Sequence, residues 1–270
     1  MAKIVSRHMA SQTVMILELE LQASSSSFQF QPGQWVDFMA PPCDWIGGFS
    51  PASLPSELPN MTLAVKRSRH PPSQWVHSEE SKVGQSCQVQ AGGTCVLDTA
   101  SAIHQRQPVV FCAGGIGISP LLSMYRYWNQ QLQLQQQQHS NNNDDTSVGK
   151  DKTQVPSSSF LYSVSTEEEL VFRDILVEEA TNAKNLSTAA QQLTITLTQQ
   201  KAWTLQLKQD LESRGIRCRT GRCMKEFLAA ADSAASFYLC GPPAMIDEGI
   251  DILQQQRGIP PDQIHYEKWW

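Results

Sequence analysis

The chain has no surplus of positive charge: 21 Lys and Arg stand against 26 Asp and Glu, for a net charge of −5. Holding a nucleic-acid backbone needs the opposite balance, so that class of partner is excluded. It also lacks any apolar run of the roughly 20 residues that a membrane-spanning helix requires; the longest, residues 108–122, is broken by Gly114, Gly115, Gly117 and Pro120. No membrane span is expected. The seven cysteines form no C-x-x-C pair and no zinc or iron–sulfur spacing, which predicts free thiols in a reducing compartment, no disulfide framework and no metal. The six histidines include no H-x-x-x-H pair, and no hydrolytic triad can be assembled from the spacing. Near the N-terminus, Glu18 and Glu20 interrupt the only apolar run, and Lys3 and Arg7 are too few for a transit peptide. The chain is expected to start close to its fold.

What is present is the composition of a globular protein: 270 residues, 40% hydrophobic and 17% charged, with 15 Gly and 15 Pro. That length exceeds what one hydrophobic core usually supports, so two domains are expected, over residues 1–105 and 106–270. In the first, Leu17, Leu19 and Leu21 alternate with Glu18, Glu20 and Gln22, the period of a half-buried strand. Further strands are predicted at 28–30, 35–39, 61–66 and 86–90. Pro32-Gly33, Pro41-Pro42, Pro51, Pro55, Pro59 and Gly92-Gly93 separate them, which points to an antiparallel barrel with little helix.

Beyond a boundary at 103–107 the rhythm becomes one of apolar strands alternating with helices, the pattern of a doubly wound parallel sheet. Strands are predicted at 108–113, 160–164, 193–198, 236–240 and 263–268. Leu121, Met124, Tyr125 and Trp128 fall on one helical face, and Thr166 and Glu169 have capping-box spacing for a helix beginning near Glu167. The last helix opens at Pro242-Pro243 and stops at Gly258. Residues 130–159, with runs of Gln, Asn and Ser, bury too little apolar surface to offset their ordering entropy and are expected to be a disordered insertion. Residues 24–27, all serine, are read as a loose hairpin loop.

The strand ending at Ala113 runs straight into Gly114-Gly115-Ile116-Gly117-Ile118-Ser119-Pro120. Glycines there let a ligand approach the backbone, and a helix opening at Ser119-Pro120 offers free N–H groups and a positive dipole end to phosphate. A tight strand–helix turn explains them equally well. Phe237 to Cys240 then leads into Gly241-Pro242-Pro243-Ala244-Met245, a second strand end feeding a proline-capped helix. Both turns would open at the carboxyl edge of one sheet, where open α/β sheets bind ligands.

With those two motifs in that order, the C-terminal half resembles the ferredoxin–NADP reductase superfamily. The ending Glu267-Lys268-Trp269-Trp270, with Gly33 to Phe38 and Gly-Gly-Phe-Ser at 47–50, resembles its oxidoreductase NAD-binding-domain-containing protein subfamily. The resemblance implies a flavin-holding antiparallel Greek-key barrel followed by a nucleotide-binding α/β domain. It implies that Gly114, Gly115, Ile116, Gly117, Ile118, Ser119 and Pro120 hold the pyrophosphate and ribose, and that Cys240, Gly241, Pro242, Pro243 and Met245 stand beside the nicotinamide. Cys240 is given a positioning role, since the cofactor carries the hydride chemistry.

By the same resemblance, Phe49 and Ser50 belong to the flavin motif, with Ser50 as hydrogen-bond partner of the reactive ring edge and Gly47 standing where the family has a phosphate-binding arginine. Lys66 and Ser73 fall in the second flavin-phosphate segment, whose usual glycine is replaced by His70. Gly93 lies in the glycine turn near the boundary, and Trp270 is the aromatic that would cover the flavin ring. Turn geometry alone also accounts for the loop at 47–55, and terminal tryptophans also pack simply for their apolar area.

A 2′-phosphate needs a basic partner near the end of the second strand, yet Tyr162 to Thr166 supplies none and Glu167, Glu168 and Glu169 follow. NADH is therefore expected over NADPH. Taken together these readings describe an NAD(P)H-dependent oxidoreductase that passes hydride from NADH to FAD or FMN and electrons to an acceptor outside the chain, protein or small molecule. The absent arginine at Gly47 keeps open an NAD-binding regulatory or scaffold protein of the same fold that has lost flavin and catalysis. A third possibility is an interaction protein acting through the Gln/Asn tract. The subfamily resemblance implies mitochondria; the weak N-terminal signal leaves the cytoplasm open.

Overall fold

A computed structural model describes residues 1–22, 27–40, 45–141, 156–185 and 191–269. The first half is built on six strands: β1 (Ala2–Met9), β2 (Val14–Leu21), β3 (Trp35–Met39), β4 (Gly47–Phe49), β5 (Asn60–Lys66) and β6 (Ser86–Gly92). They pair antiparallel in the order β4-β3-β6-β1-β2-β5, and an isolated bridge between Pro51 and Leu63 joins the two edges into a barrel. The period-two pattern aims Leu17 and Leu19 of β2 inward with Met61 and Leu63 of β5, Ile4, Val36 and Phe38. Val14 and Ile16, on the outer face of β2, are buried too because the second half packs over them.

The second half holds β7 (Val109–Gly114), β8 (Ser158–Val164), β9 (Gln191–Leu197), β10 (Arg217–Thr220), β11 (Ser236–Gly241) and β12 (Ile264–Lys268). All pair parallel, in the order β10-β9-β8-β7-β11-β12. Successive residues of β7 serve opposite faces: Phe111 packs with Phe160 and Tyr238 on one, Val110 and Cys112 with Leu161 and Phe237 on the other. This is why the strand reads as a continuous apolar run. Short helices α1 (Pro71–Val76) and α2 (Thr99–His104) precede the sheet. Then come α3 (Ile118–Asn141), α4 (Arg173–Asn185), α5 (Leu205–Ser213), α6 (Met224–Ala229) and α7 (Pro243–Asp251), the last running on through a π-helical turn at Ile252–Gln256.

The two halves are tied by specific bonds. Arg126 of α3 donates to Glu57 at 2.6 and 3.1 Å, the Ser123 hydroxyl donates to the Ser53 carbonyl at 2.7 Å, and Glu169 accepts from Thr13 at 2.7 Å and Ser11 at 3.1 Å.

Four expectations are corrected or fall outside. The tract read as disordered from residue 130 is helical as far as Asn141, because α3 runs on with Leu132 buried and glutamine is a good helix former; likewise 158 and 159 already belong to β8. Residues 142–155 and 23–26 lie outside the described residues. No capping box forms at Thr166: a 3-10 turn occupies Glu167–Glu169 and α4 starts only at Arg173, since Glu169 bonds across to Ser11 and Thr13 instead. Phe28 and Phe30 form no strand; Phe30 is a core plug of the barrel, with its ring 6.4 Å from that of Phe28.

Candidate functional site

In this sheet the strand order reverses between β7 and β11, so the crevice at their carboxyl ends is a topological switch point. Gly114 ends β7, Gly241 ends β11, and the backbones meet there: a Cβ on Gly241 would lie 3.1 Å from the Gly114 Cα. A Cβ on Gly117 would overlap the Cys240 carbonyl, one on Gly114 would overlap the Met245 sulfur, and Gly115 has φ +53°. Glycine is required at these positions by contact and conformation alike. Gly115–Gly117 forms a 3-10 turn, with the Ile118 N–H donating back into it to the Gly115 carbonyl, and α3 follows with Ile118, Ser119 and Pro120 in its first turn. Pro120 costs nothing there because a first-turn N–H has no helical partner. Opposite, Pro242 caps α7 and Pro243 opens it.

Across from this crevice the barrel contributes Gly48, Phe49 and Ser50, and the two halves enclose a cavity of about 290 Å³. Its walls also include Ile116, Ser119 and Pro120 from the nucleotide side, Lys66, Ser68, His70 and Ser73 from the barrel side, and Trp269 from the C-terminus. Ser50 and Ser119 are 5% and 2% exposed, and neither hydroxyl has a hydrogen-bond partner. A buried hydroxyl without a partner costs on the order of 1–3 kcal/mol. Both residues line the one cavity, one from each half, with their hydroxyls out of solvent reach.

Trp269 is held there by its backbone N–H, which donates to the Gly241 carbonyl at 2.9 Å. Its indole stands over Gly48, where an added Cβ would touch the ring at 3.6 Å. Thus the tryptophan that walls the cavity is Trp269; Trp270, expected from sequence to do so, lies outside the described residues. Gly93 does not reach the cavity: at φ +88° it leaves room for the Trp35 ring, 2.6 Å from where its Cβ would be. Ser73 lines the cavity, but its hydroxyl is used internally, donating to the Lys66 carbonyl at 2.7 Å and accepting from the Ser68 N–H at 3.0 Å. The Lys66 ammonium lies 4.0 Å from Glu169 and 3.9 Å from the Cβ position of Gly115, so it stands between the two halves.

Electrostatics separate the thiols from any nucleophilic role. Cys240 is held well above the usual thiol range by burial, reinforced by Glu267 and Cys95. Burial likewise pushes Cys95 up to about 12. Neither is a thiolate near neutral pH. Sequence reasoning missed Glu267, which pairs in register with Cys240. Burial pushes its carboxyl up to about 7, the Trp269 indole partly offsetting this, and Oε2 has no partner. Its place beside Cys240 comes from the pairing of β12 with β11, for which the spacing along the chain carries no signal. Among the described residues no three His, Cys, Asp or Glu side chains converge as a metal site, and no helix is long and apolar enough to cross a membrane.

Comparison with known proteins agrees with this geometry. Residues 111–249 match the oxidoreductase NAD-binding domain family. The chain is 32% identical over 267 residues to oxidoreductase NAD-binding domain-containing protein 1 of Danio rerio, covering 96% of this chain and 88% of that one. Among solved structures, a cytochrome P450 reductase from Amycolatopsis superposes with a TM-score of 0.69 at 19% identity, over 99% of this chain and 68% of that one. The ferredoxin–NADP+ reductase of Plasmodium falciparum gives 0.68 at 17% identity, over 99% and 95%.

Proposed function

The chain belongs to the oxidoreductase NAD-binding domain family, and we propose that it is an NADH-dependent flavin-type reductase whose transfer site is the cavity between its halves. The observation that carries the reading is the cavity itself, which Gly48, Phe49 and Ser50 of the barrel and Ile116, Ser119 and Pro120 of the other half line together beside the switch point of the parallel sheet. A flavin bound there would supply the hydride acceptor and the one-electron donor. The walls suit its ring: Phe49 and Trp269 offer aromatic surface, and Gly48 leaves the space open.

In this reading the glycine turn that leads into α3, with Gly114, Gly115, Ile116, Gly117 and Ile118, holds the NADH pyrophosphate, and Lys66 reaches over from the barrel toward the same turn. Cys240, Gly241, Pro242 and Pro243 form the wall beside the nicotinamide, with Met245 packed behind Gly114. Cys240 acts by shape, since its thiol stays protonated. Ser50 orients the flavin edge. The protein's contribution is alignment of the two bound rings, which turns a two-body encounter into a reaction within one complex.

NADH is favoured over NADPH because the loop after β8 carries Glu167, Glu168 and Glu169 in place of a basic residue, and Arg173 is already paired with Asp174 at 2.9 Å. Reductases of this fold serve, by their names, a cytochrome P450 and a ferredoxin, which supports a protein acceptor. Mitochondria are proposed as the compartment on family resemblance; imaging of the tagged full-length protein tests this, with cytoplasmic signal as the contrary result.

One observation favours a second reading, an NAD-binding protein without flavin. A Cβ at Gly47 would meet the Pro72 Cβ at 2.7 Å and the Phe49 ring at 2.9 Å, so no side chain there can grip a flavin phosphate. Visible absorption of the purified protein reconstituted with FAD and with FMN, before and after anaerobic NADH or NADPH, separates the two. Bleaching faster with NADH is expected; retention of NADH but of neither flavin would establish the second reading.

A further inference from the structure

The parallel sheet has a second concavity, toward the edge opposite its glycine turns. A pocket of about 160 Å³ lies over β8, β9 and β10, with Ser159, Gln192 and Thr194 as its floor and Arg217 and Arg219 as one wall. Phe227 of α6, with Ala230 and Ala231 just beyond that helix, forms the other wall. Ser159 stands five residues before Val164, the carboxyl end of β8, or roughly 16 Å along the strand. The pocket shares no lining residue with the cavity between the halves. Its volume is far above the roughly 15 Å³ that one water requires, so it admits a small solute.

The charge here runs against that of the chain. Between Arg214 and Lys225 there are five cations and no acid, in a protein of net charge −5. Arg217 and Arg219, two apart on β10, share one face of the sheet, and their register partners on β9, Thr194 and Thr196, are neutral. Among the described residues neither guanidinium has an ion pair or a hydrogen bond; Asp210 and Glu212 of α5 pair instead with Arg214 and Lys208. Two like charges side by side repel, and an anion seated between them removes the repulsion. Glu226 also lines the pocket and offsets one of the two charges without pairing with either. The floor adds a donor: Thr194 is buried, and its hydroxyl accepts from the Gln192 amide at 3.4 Å, which leaves its own proton to give. Guanidinium forks with a hydroxyl beside them match the oxygens of a phosphate group.

We propose that Arg217, Arg219 and Thr194 form a second ligand site, which binds the phosphate group of a small phosphomonoester and leaves the glycine turns free. Phe227 flanks the carbon end of the ester.

The test is calorimetric titration of the full chain with phenyl phosphate and with inorganic phosphate, at fixed ionic strength in sodium chloride. It is repeated on Arg217→Gln, Arg219→Gln, Glu226→Gln and Arg222→Gln. The wild type should bind phenyl phosphate with a dissociation constant below about 1 mM, and inorganic phosphate more weakly. Arg217→Gln and Arg219→Gln should each weaken binding about tenfold, and Glu226→Gln should tighten it about threefold. Arg222→Gln, in the same basic stretch but outside the pocket, should leave it unchanged. Thermal unfolding checks that the variants are folded: without ligand all should melt near the wild type, and phenyl phosphate should raise the midpoint of the wild type and of Arg222→Gln far more than that of Arg217→Gln. Absence of binding at about 10 mM, or an equal loss in Arg222→Gln, would overturn the proposal. So would binding that survives both Arg217→Gln and Arg219→Gln, since the anion would then sit elsewhere, as at the glycine turn. Inorganic phosphate binding tighter than the ester would overturn the assignment to a phosphomonoester.

Discussion

Glu267→Gln should make the protein more stable, and only above mildly acidic pH. The folded carboxyl is pushed up from its ordinary 4.5 to about 7, chiefly by burial. Below pH 4.5 the carboxyl is protonated in the folded and unfolded chain alike, and it contributes nothing. As pH rises from 4.5 to 7 the unfolded chain loses the proton while the folded chain keeps it, so stability is lost across that window, and the loss is complete above 7. Each pH unit between the two is worth about 1.36 kcal/mol, which gives about 3.4 kcal/mol as an upper bound. Glu267 is only partly buried, and solvent screening reduces this to roughly 1.5 kcal/mol. Gln keeps the shape and carries no charge. Urea unfolding of both proteins between pH 4 and 8.5, followed by tryptophan fluorescence, measures the difference. It should be small at pH 4, grow through pH 6 and level off near 8. A difference that stays constant with pH would refute the reasoning, because packing or a lost hydrogen bond would then be the whole effect.

Three other outcomes follow from the same geometry. Gly117→Ala places a methyl group into the Cys240 carbonyl, and should destabilise the protein by about 3 kcal/mol in urea unfolding or abolish retention on an immobilised nicotinamide nucleotide; a stable variant with normal retention would contradict the close approach of the two turns. Ser50→Ala should lower flavin affinity by roughly 1 kcal/mol while raising the thermal midpoint of the flavin-free protein, since a buried hydroxyl with no partner is removed; a lowered midpoint would mean that the hydroxyl is satisfied within the protein. Cys240 should resist iodoacetamide at pH 8 in the folded protein and react after denaturation, as read by mass spectrometry of the peptide; rapid labelling in the native state would show a thiolate that burial forbids.

Much of this was legible from residue order alone. The alternation at Leu17, Leu19 and Leu21, the apolar run from Val109 and the glycines after it reflect local rules: the pleat repeats every two residues, and a left-handed or crowded backbone position admits little but glycine. Those rules gave the barrel, the parallel sheet and both glycine turns. They missed β1 and β4 of the barrel, and β10, four mostly exposed residues with no hydrophobic period, paired only with β9. The extent of α3 was also missed, because glutamine's tolerance of helix is decided by whether an anchor such as Leu132 finds a core.

The sequence by itself therefore determined the two-part architecture and the two glycine turns, because these depend on neighbours along the chain. The tertiary structure decided the rest. That Glu169 leaves its own helix to bond Ser11 and Thr13, that Gly47 has no room for a side chain, that Trp269 walls the cavity and that Glu267 lies beside Cys240 all depend on atoms brought together from distant positions. Desolvation and steric contact act through space, and no spacing along the chain encodes them.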